Sequence, residues 1–434
     1  MIKRYEKYKE SGIEWVGNIP THWRVSTVKR NLEFLNNKRV PIEAGVRFDR
    51  QGEFPYYGAS GIIDYVDDYI FDGTHILIGE DGANILSRSS RLVFIAQGKF
   101  WVNNHAHILD VPAGNTSYFC EQLELNDFAT LASGSAQPKL TKEALANLAL
   151  IIPPIEEQNK IANFLDHQTT IIDDLIGQKE KLIELLKEKR QAIINEAVTK
   201  GLNPNAKMKD SGIEWLGEVP EEWKVLKLKY LLRNQDGIKI GPFGSALKLE
   251  MMVEDGYKVY GQENAIKDDF EIGKRYITQE KFLEMESYKL QPGDIIITMM
   301  GTTGKSKVVP ENIQDGIMDS HLIRIRVSDL VIPELLALLI NDSDYIKTQL
   351  DSISKGAIMT GLNSVIVKSL NIIVPPKESQ KELLEEIDRR LDSIFVIMKN
   401  TLTQITKLKD YRQSLISEAV TGKIDVRDWK PTNN

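Results

Sequence analysis

The chain contains itself twice. Ser11–Val25 reads SGIEWVGNIPTHWRV and Ser211–Val225 reads SGIEWLGEVPEEWKV, identical at nine of fifteen positions. Arg190–Thr199 (RQAIINEAVT) recurs as Arg412–Thr421 (RQSLISEAVT), each downstream of a Pro-Pro step, Pro153-Pro154 and Pro375-Pro376. A tandem duplication constrains the fold to two similar units in one molecule. The 434 residues suffice for two or more domains with separate cores. Such a chain is built to address two sites at once.

Two stretches carry a coiled-coil rhythm. Steps of four and three from Ile161 reach Leu165, Gln168, Ile172, Leu175, Lys179, Leu182, Leu186, Lys189 and Ile193. The matching series is Leu383, Ile387, Arg390, Ile394, Ile397, Thr401, Gln404, Leu408, Tyr411 and Leu415. Apolar residues hold most of these positions, which predicts two long helices. Proline is tolerated only in the first helical turn, so each Pro-Pro step marks a start. Asn203-Pro204 and Gly422 mark the ends. A narrow apolar seam cannot face water, and two matching seams pair most economically with each other. A pseudo-twofold repeat makes that pairing antiparallel, with Lys179 and Lys189 at the level of Thr401 and Tyr411 fixing register.

The remaining blocks, Thr21–Leu150 and Glu221–Asn371, read as mixed α/β. Strands are expected at Ile76–Ile78, Leu92–Ile95 and His105–Leu109, and at Ile295–Thr298 and Leu322–Val327, the last alternating as LIRIRV. Helices are expected at Tyr118–Leu125 and Pro333–Asn341. The blocks resemble each other poorly except at their ends, where GSAQPKL (Gly134–Leu140) and GAIMTGL (Gly356–Leu362) hold the same relative place. The frame is repeated and the inserts have diverged.

A net charge of −7 argues against nucleic acid as a partner, but binding depends on how charge is distributed. Lys224–Leu249 carries six basic residues against one acid, Asp236. Asn84–His107 holds Arg88, Arg91 and Lys99 without an acid, and Ile295–Pro310 holds Lys305 and Lys307 likewise. Such basic strips suit phosphate contact as well as they suit solvated loops. The single cysteine, Cys120, excludes an internal disulfide and a cysteine-based zinc site, and fits a reducing cytosol. No signal peptide or membrane-spanning run is apparent.

The chemistry-bearing motifs are few. IIITMMGTTGKS (Ile295–Ser306) has Met299 where a nucleotide-binding loop needs glycine. A glycine-rich turn whose amides and Lys305 meet another kind of phosphate is the better reading. VNNHAHIL (Val102–Leu109) spaces two histidines to share a strand face, yet offers no third metal ligand. Asn103, His105 and His107 read instead as a strand facing base edges or phosphates, or as plain structure, and His321 in DSHLIRI occupies a similar place. KIGPFGSALK (Lys239–Lys248) is either a tight turn around a buried Phe243 or a backbone-presenting loop between lysines. Trp15 and Trp215 are expected to dock on the helices. No methyltransferase, helicase or nuclease signature is present, and the chain reads as non-catalytic.

SGIEWxGxxPxxW, the Pro-Pro steps, the RQxxIxEAVT endings and GKIDVRDW (Gly422–Trp429) together resemble the specificity subunit of type I restriction–modification systems. YYGASGIIDYVDDYIFDG (Tyr56–Gly73), IGEDGAN and FWVNNHAH look like one kind of target-recognition domain, and GPFGSALK with GDIIIT–GTTGK like another. The resemblance covers essentially the whole chain. It implies an α/β (α+β) architecture of two target-recognition domains joined by two long helices in an antiparallel coiled coil. The implied segments are residues 1–152 and 204–374 for the domains, with 153–203 and 375–434 for the helices and tail. Each domain would read one half of an asymmetric, bipartite site in double-stranded DNA. Two modification subunits would dock on the helices, with restriction/translocase subunits added. AdoMet, ATP and Mg would belong to those partners, with no cofactor or metal in this cytoplasmic chain. The expected DNA contacts are Arg88, Lys99, Asn103, His105, Lys239, Ser245, Lys248, Lys305 and His321. The competing reading is a coiled-coil adaptor carrying two domains for ligands other than DNA.

Overall fold

The computed structural model describes residues 3–134, 138–213, 215–234, 236–243, 246–354 and 362–431. The chain forms two compact units, Met1–Glu180 with Leu402–Asn434, and Lys181–Thr401. Each takes one α/β block and half of each long helix, because the helices pack with the blocks rather than standing apart as segments of their own.

The long helices are α1, Ile155–Lys200, and α2, Lys377–Val420. Each starts directly after its Pro-Pro step. The side chain of Gln158 donates to the Pro153 carbonyl at 2.9 Å, and Gln380 donates to Pro375 at 3.0 Å, closing both first turns alike. The first helix stops earlier than Asn203-Pro204 implies, since Gly201 takes a left-handed φ of 75° just after Lys200. Gly422, at 72°, follows the end of α2 in the same way. Within the first unit the helix halves run antiparallel: Asp173 pairs with Arg412, and further along Lys179 meets Gln404.

The buried seam departs from the heptad expectation. Leu175 and Leu182 are 40% and 39% exposed, while Ile176 and Ile183 are buried. On α2, Ile397 and Tyr411 are exposed and Ile405 is buried where Gln404 was expected. The buried positions recur every 11 residues: Ile161, Ile172, Ile183 and Ile194 on α1, and Leu383, Ile394, Ile405 and Ile416 on α2. An 11-residue repeat corresponds to about 3.67 residues per turn, close to a straight α-helix, whereas a heptad pattern drifts by ~20° per repeat unless the helices supercoil. Over four repeats that drift moves the seam by nearly one residue.

The described residues of the repeated SGIEW segment make the same turn in both units. Ser11 N–H donates to Gly17 O, and Ser211 N–H to Gly217 O, both at 3.0 Å, closing a loop whose glycines lie at positive φ. Short antiparallel ribbons follow: Tyr8–Glu10 with Asn18–Pro20, and Met208–Asp210 with Glu218–Pro220. Arg24–Thr27 then pairs with Ala149–Ile152, and Lys224–Lys227 with Asn371–Val374, tying the start of each block to its end. The tryptophans that dock are not Trp15 and Trp215, which are 47% and 44% exposed, but Trp23 and Trp223, which are buried. Trp23 donates its indole N–H to Glu157 on α1 at 2.9 Å.

In the first block, β1 (Glu33–Phe34), β2 (Gln51–Gly58), β3 (Gly61–Val66), β4 (Phe71–Gly79), β5 (Val93–Val102) and β6 (Ala106–Asp110) form one sheet in the order β1-β6-β4-β5-β2-β3. The three strands expected from sequence lie within or overlap β4, β5 and β6. In the second block, β7 (Ile238–Ile240), β8 (Tyr257–Tyr260), β9 (Tyr276–Ile277), β10 (Ile295–Thr298), β11 (Ser306–Val308), β12 (Gly316–Met318) and β13 (Leu322–Ile325) form two sheets, β7-β13-β10-β11 and β9-β8-β12. The alternation in LIRIRV suggests a half-solvated strand, yet β13 is buried throughout. Arg324 is 1% exposed, donates to the Lys289 carbonyl at 2.9 Å and pairs with Asp236. Those bonds engage both terminal nitrogens of the guanidinium, while its buried Nε has no hydrogen-bond partner among the described residues.

Candidate nucleic-acid interface

The middles of the two blocks share a hydrogen-bonded node that their sequences barely betray. In the first block, Asn103 N–H donates to Tyr57 O at 3.0 Å, bringing the chain after β5 against the end of β2. The Asn103 side-chain oxygen accepts from His105 N–H at 2.8 Å, forming an Asx turn. His105 O accepts from Glu80 N–H, and Glu80 O accepts from Leu140 N–H, both at 2.8 Å. Gly79 N–H reaches Leu92 O at 3.0 Å, where β5 begins.

The second block repeats every one of these bonds. Asp319 N–H donates to Tyr260 O at 2.8 Å, and the Asp319 side chain accepts from His321 N–H at 2.9 Å. His321 O accepts from Met299 N–H, and Met299 O from Leu362 N–H, both at 3.0 Å. Thr298 N–H reaches Lys305 O at 2.9 Å. Leu140 and Leu362 are buried as expected of a repeated frame, while the rest of GAIMTGL and Ser135–Gln137 lie outside the described residues. The middles therefore share backbone architecture, which corrects the reading that only the block ends correspond.

The side chains around the two nodes differ. In the first, Glu80 is buried among Arg39, Lys139 (3.2 Å) and His107 (3.8 Å). Burial opposes its charge, but Arg39, His107 and Lys139 more than compensate and hold its carboxyl below the usual range. Arg39 also donates to Ala106 O at 2.8 Å. In the second, Asp319 is buried beside Arg275, at 3.0 Å, which also pairs with Glu263 at 2.9 Å. A Cβ on Gly241 would sit 1.7 Å from the Asp319 carbonyl oxygen, so only glycine lets the GPFG loop lie against this turn. Phe243 in that loop is 68% exposed, against the buried-phenylalanine reading.

The structure sorts the expected contact residues. His105 and His321 occupy equivalent positions, with side chains 48% and 50% exposed. Lys305 stands at the node in the second block. Asn103 is buried and its side-chain oxygen makes the turn, so it serves the frame. Arg88 has an internal role: its guanidinium donates to the Glu124 carbonyl at 2.6 Å and carboxylate at 2.9 Å, and lies over the Phe128 ring. Lys99 stands opposite Asp72 on the β4–β5 ladder, 4.5 Å from the Tyr69 ring centre, and no bond joins it to the node. Lys239 lies over the Tyr288 ring, and Lys248 is 3.4 Å from Glu250. Ser245 lies outside the described residues.

Two motif readings change. His105 and His107 do not share a face, because the Asx turn ends at His105 before β6 begins. His107 is 1% exposed, between Asn36 and the Leu140 carbonyl, and burial pushes its pKa down. Three amides of the GTTGK loop are bonded internally: Thr303 N–H goes to Gly301 O, Gly304 N–H to Thr298 O and Lys305 N–H to the Thr298 hydroxyl, and just before the loop Met300 N–H goes to Gln262. Those amides of the hairpin turn are not available to a phosphate. Sequence reasoning missed Glu80, Asp81, Arg39, Met300 and Gln262. The available signal was the pair of shared fragments, Tyr-Gly (Tyr57-Gly58, Tyr260-Gly261) and Asx-x-His.

Comparison with known proteins agrees with this architecture. A Haemophilus influenzae protein described as a type I restriction enzyme specificity subunit is 28% identical over 384 residues, covering 85% of this chain and 86% of its own length. The type I restriction enzyme MjaVIII specificity subunit of Methanocaldococcus jannaschii is 22% identical over 442 residues, covering 99% of both. A chain from a structure on complex assembly and conformational transition of the type I R-M system superposes with a TM-score of 0.65 at 13% identity, covering 93% of this chain and 98% of that one. That likeness supports the fold. Residues 20–185 and 245–407 match the family model of the type I restriction modification DNA specificity domain, and the chain belongs to that family.

Proposed function

We propose that this chain is the addressing component of a type I restriction–modification complex, with each α/β block reading one half of an asymmetric, bipartite site in double-stranded DNA. The observation that carries this reading is the duplicated node: one backbone frame, presented twice, with unlike side chains around it. Two identical nodes would suit a symmetric target, and two unrelated ones would suit unrelated ligands. Base readout needs side chains of differing donor and acceptor character on a fixed mount, and phosphate contacts set the register. His105, Lys305 and His321 are the contact candidates that stand at the nodes. Lys99, Lys239 and Lys248 are candidates for backbone contact elsewhere on the blocks.

The chain itself carries no step of the chemistry in this proposal. Adenine methylation, with AdoMet, and ATP- and Mg-dependent translocation and cleavage belong to modification and restriction subunits that dock on it. Among the described residues no helix is long and apolar enough to cross a membrane. Expressing the chain with its modification subunits and sequencing methylated adenines in host DNA tests the reading. A two-part asymmetric motif is expected, and substitutions around one node should alter only one half of it. A symmetric motif, or methylation unaffected by either node, would refute the assignment.

A further inference from the structure

The retained and changed residues of the two nodes separate by physical role. Tyr57 and Tyr260 accept the turn through their carbonyls, Leu140 and Leu362 are buried, and Asn103 and Asp319 form the Asx turn. These are frame. The accessible neighbours differ: Ala59 stands where the second block has Gln262, Asp81 where it has Met300, and Asn104 where it has Ser320. His105 and His321 fit neither group. Their frame bonds use only backbone N–H and C=O, which any residue but proline supplies, and yet the same accessible imidazole stands in both blocks.

The rings are also mounted alike. The Nδ1 of His105 faces the Asp81 carboxylate at 2.8 Å, and the Nδ1 of His321 faces the Ser320 hydroxyl at 3.2 Å. Neither Nε2 has a hydrogen-bond partner among the described residues, and each ring is about half exposed. With Nδ1–H given to Asp81, the Nε2 of His105 carries a proton in the imidazolium form, the form that pairs with an anion. When Nδ1 of His321 accepts the Ser320 hydroxyl proton, Nε2 carries the proton of the neutral ring; the Asp319 carboxylate lies 3.8 Å from the same Nδ1. The other charged groups of the nodes are Glu80, Arg39 and Lys139 in the first, and Asp319, Arg275, Glu263 and Lys305 in the second. By different supports, both rings can present an Nε2–H donor to an anion.

Two unlike half-sites share no base pattern, but they share the phosphate backbone. A donor kept in both nodes while its neighbours change suits the shared feature. Resting on the DNA-reading function above, we propose that His105 and His321 are equivalent phosphate contacts, each fixing the register of its block on the duplex through Nε2–H, while the unlike neighbours meet the bases.

The test uses the full chain assembled with its modification subunits and a duplex bearing the methylated motif. Each phosphate in turn is made a neutral methylphosphonate, and each base pair is changed in parallel. His105→Ala should abolish the response at one phosphate of one half-site, and His321→Ala at one phosphate of the other. Each variant should weaken binding on the order of 10-fold, by the same factor for matched and mismatched sequences. A full methylphosphonate profile in both variants, or a changed ranking of base substitutions, would overturn the assignment. Melting curves accompany each variant, with His105→Ser and His321→Ser replacing any that melt early. Wild-type complex without sequence-specific binding would instead sink the DNA-reading function itself.

Discussion

The 11-residue seam makes a prediction that separates two adjacent residues of one helix. Leu182 is the position a heptad series from Ile161 places in the seam, and Ile183 is the position that is buried, at 6% exposure against 39%. Both belong to the second unit, so one transition reports both. Replacing either by alanine removes three carbons, worth ~0.8 kcal/mol each when fully buried. For Ile183→Ala the transfer loss is ~2.3 kcal/mol, raised by any residual cavity and lowered by ~0.4 kcal/mol of helix propensity, for a net ~2–3 kcal/mol. For Leu182→Ala the same reasoning, scaled by exposure, gives ~1 kcal/mol. With an unfolding entropy near 2.1 cal/mol/K per residue, the 221 residues of the unit carry ~0.46 kcal/mol/K. The melting midpoint should therefore fall by ~5–6 °C for Ile183→Ala and by ~2 °C for Leu182→Ala, measured calorimetrically on the isolated chain. Equal shifts, or a larger one for Leu182→Ala, would refute the 11-residue phase and restore the heptad.

Other consequences are equally direct. Asn103→Ala should cost ~1–2 kcal/mol in urea unfolding of the first unit, while Asn103→Asp should cost little, because Asp319 makes the same turn in the second. His107 has its folded pKa depressed by burial, so its neutral form contributes stability above the unfolded value of 6.5 that is lost as pH falls. Glu80, held below its usual range, adds a loss at lower pH still; unfolding free energies at pH 7.5 and 5.5 should differ less in His107→Gln than in the wild type. Arg88→Ala should lower stability by leaving Glu124 only its bonds from the Leu92 and Val93 amides, without changing the salt dependence of DNA binding, read from affinities across a salt series. Trp23→Phe, which removes one of three partners of the Glu157 carboxylate and leaves Tyr5 and His22, should destabilise by ~1–2 kcal/mol, whereas Trp15→Phe should shift the midpoint by under a degree.

What could be read from sequence was whatever depends on neighbours along the chain. The Pro-Pro starts, the Gly422 stop and the strands around Ile76, Val93 and Ile295 are local signals, and they appear where expected. The seam failed in phase only, because the difference between 3.5 and 3.67 residues per turn is small in any one repeat and accumulates along α1, so that Ile176 replaces Leu175 and Ile183 replaces Leu182. The internal pairing of Arg88 was hidden for another reason. Its partner, Glu124, is 36 residues away in sequence, and local composition cannot show that a basic residue is already paired.

The node was illegible for a deeper reason, which also bears on how such a chain can change its target. In each block it joins five separated stretches of chain, and nearly all of its bonds run from backbone to backbone. The one side-chain contribution, an oxygen two residues before the histidine, is met by Asn103 in one block and Asp319 in the other. Backbone groups are the same in every residue but proline, so such a frame places almost no demand on sequence. Asp81 can become Met300, and Asn104 can become Ser320, without a frame bond being lost. The same property that hides the site from sequence reasoning leaves its readout side chains free to diverge on an unchanged mount. In that setting a retained accessible side chain needs a cause outside the fold, and His105 and His321 are where that cause is to be sought.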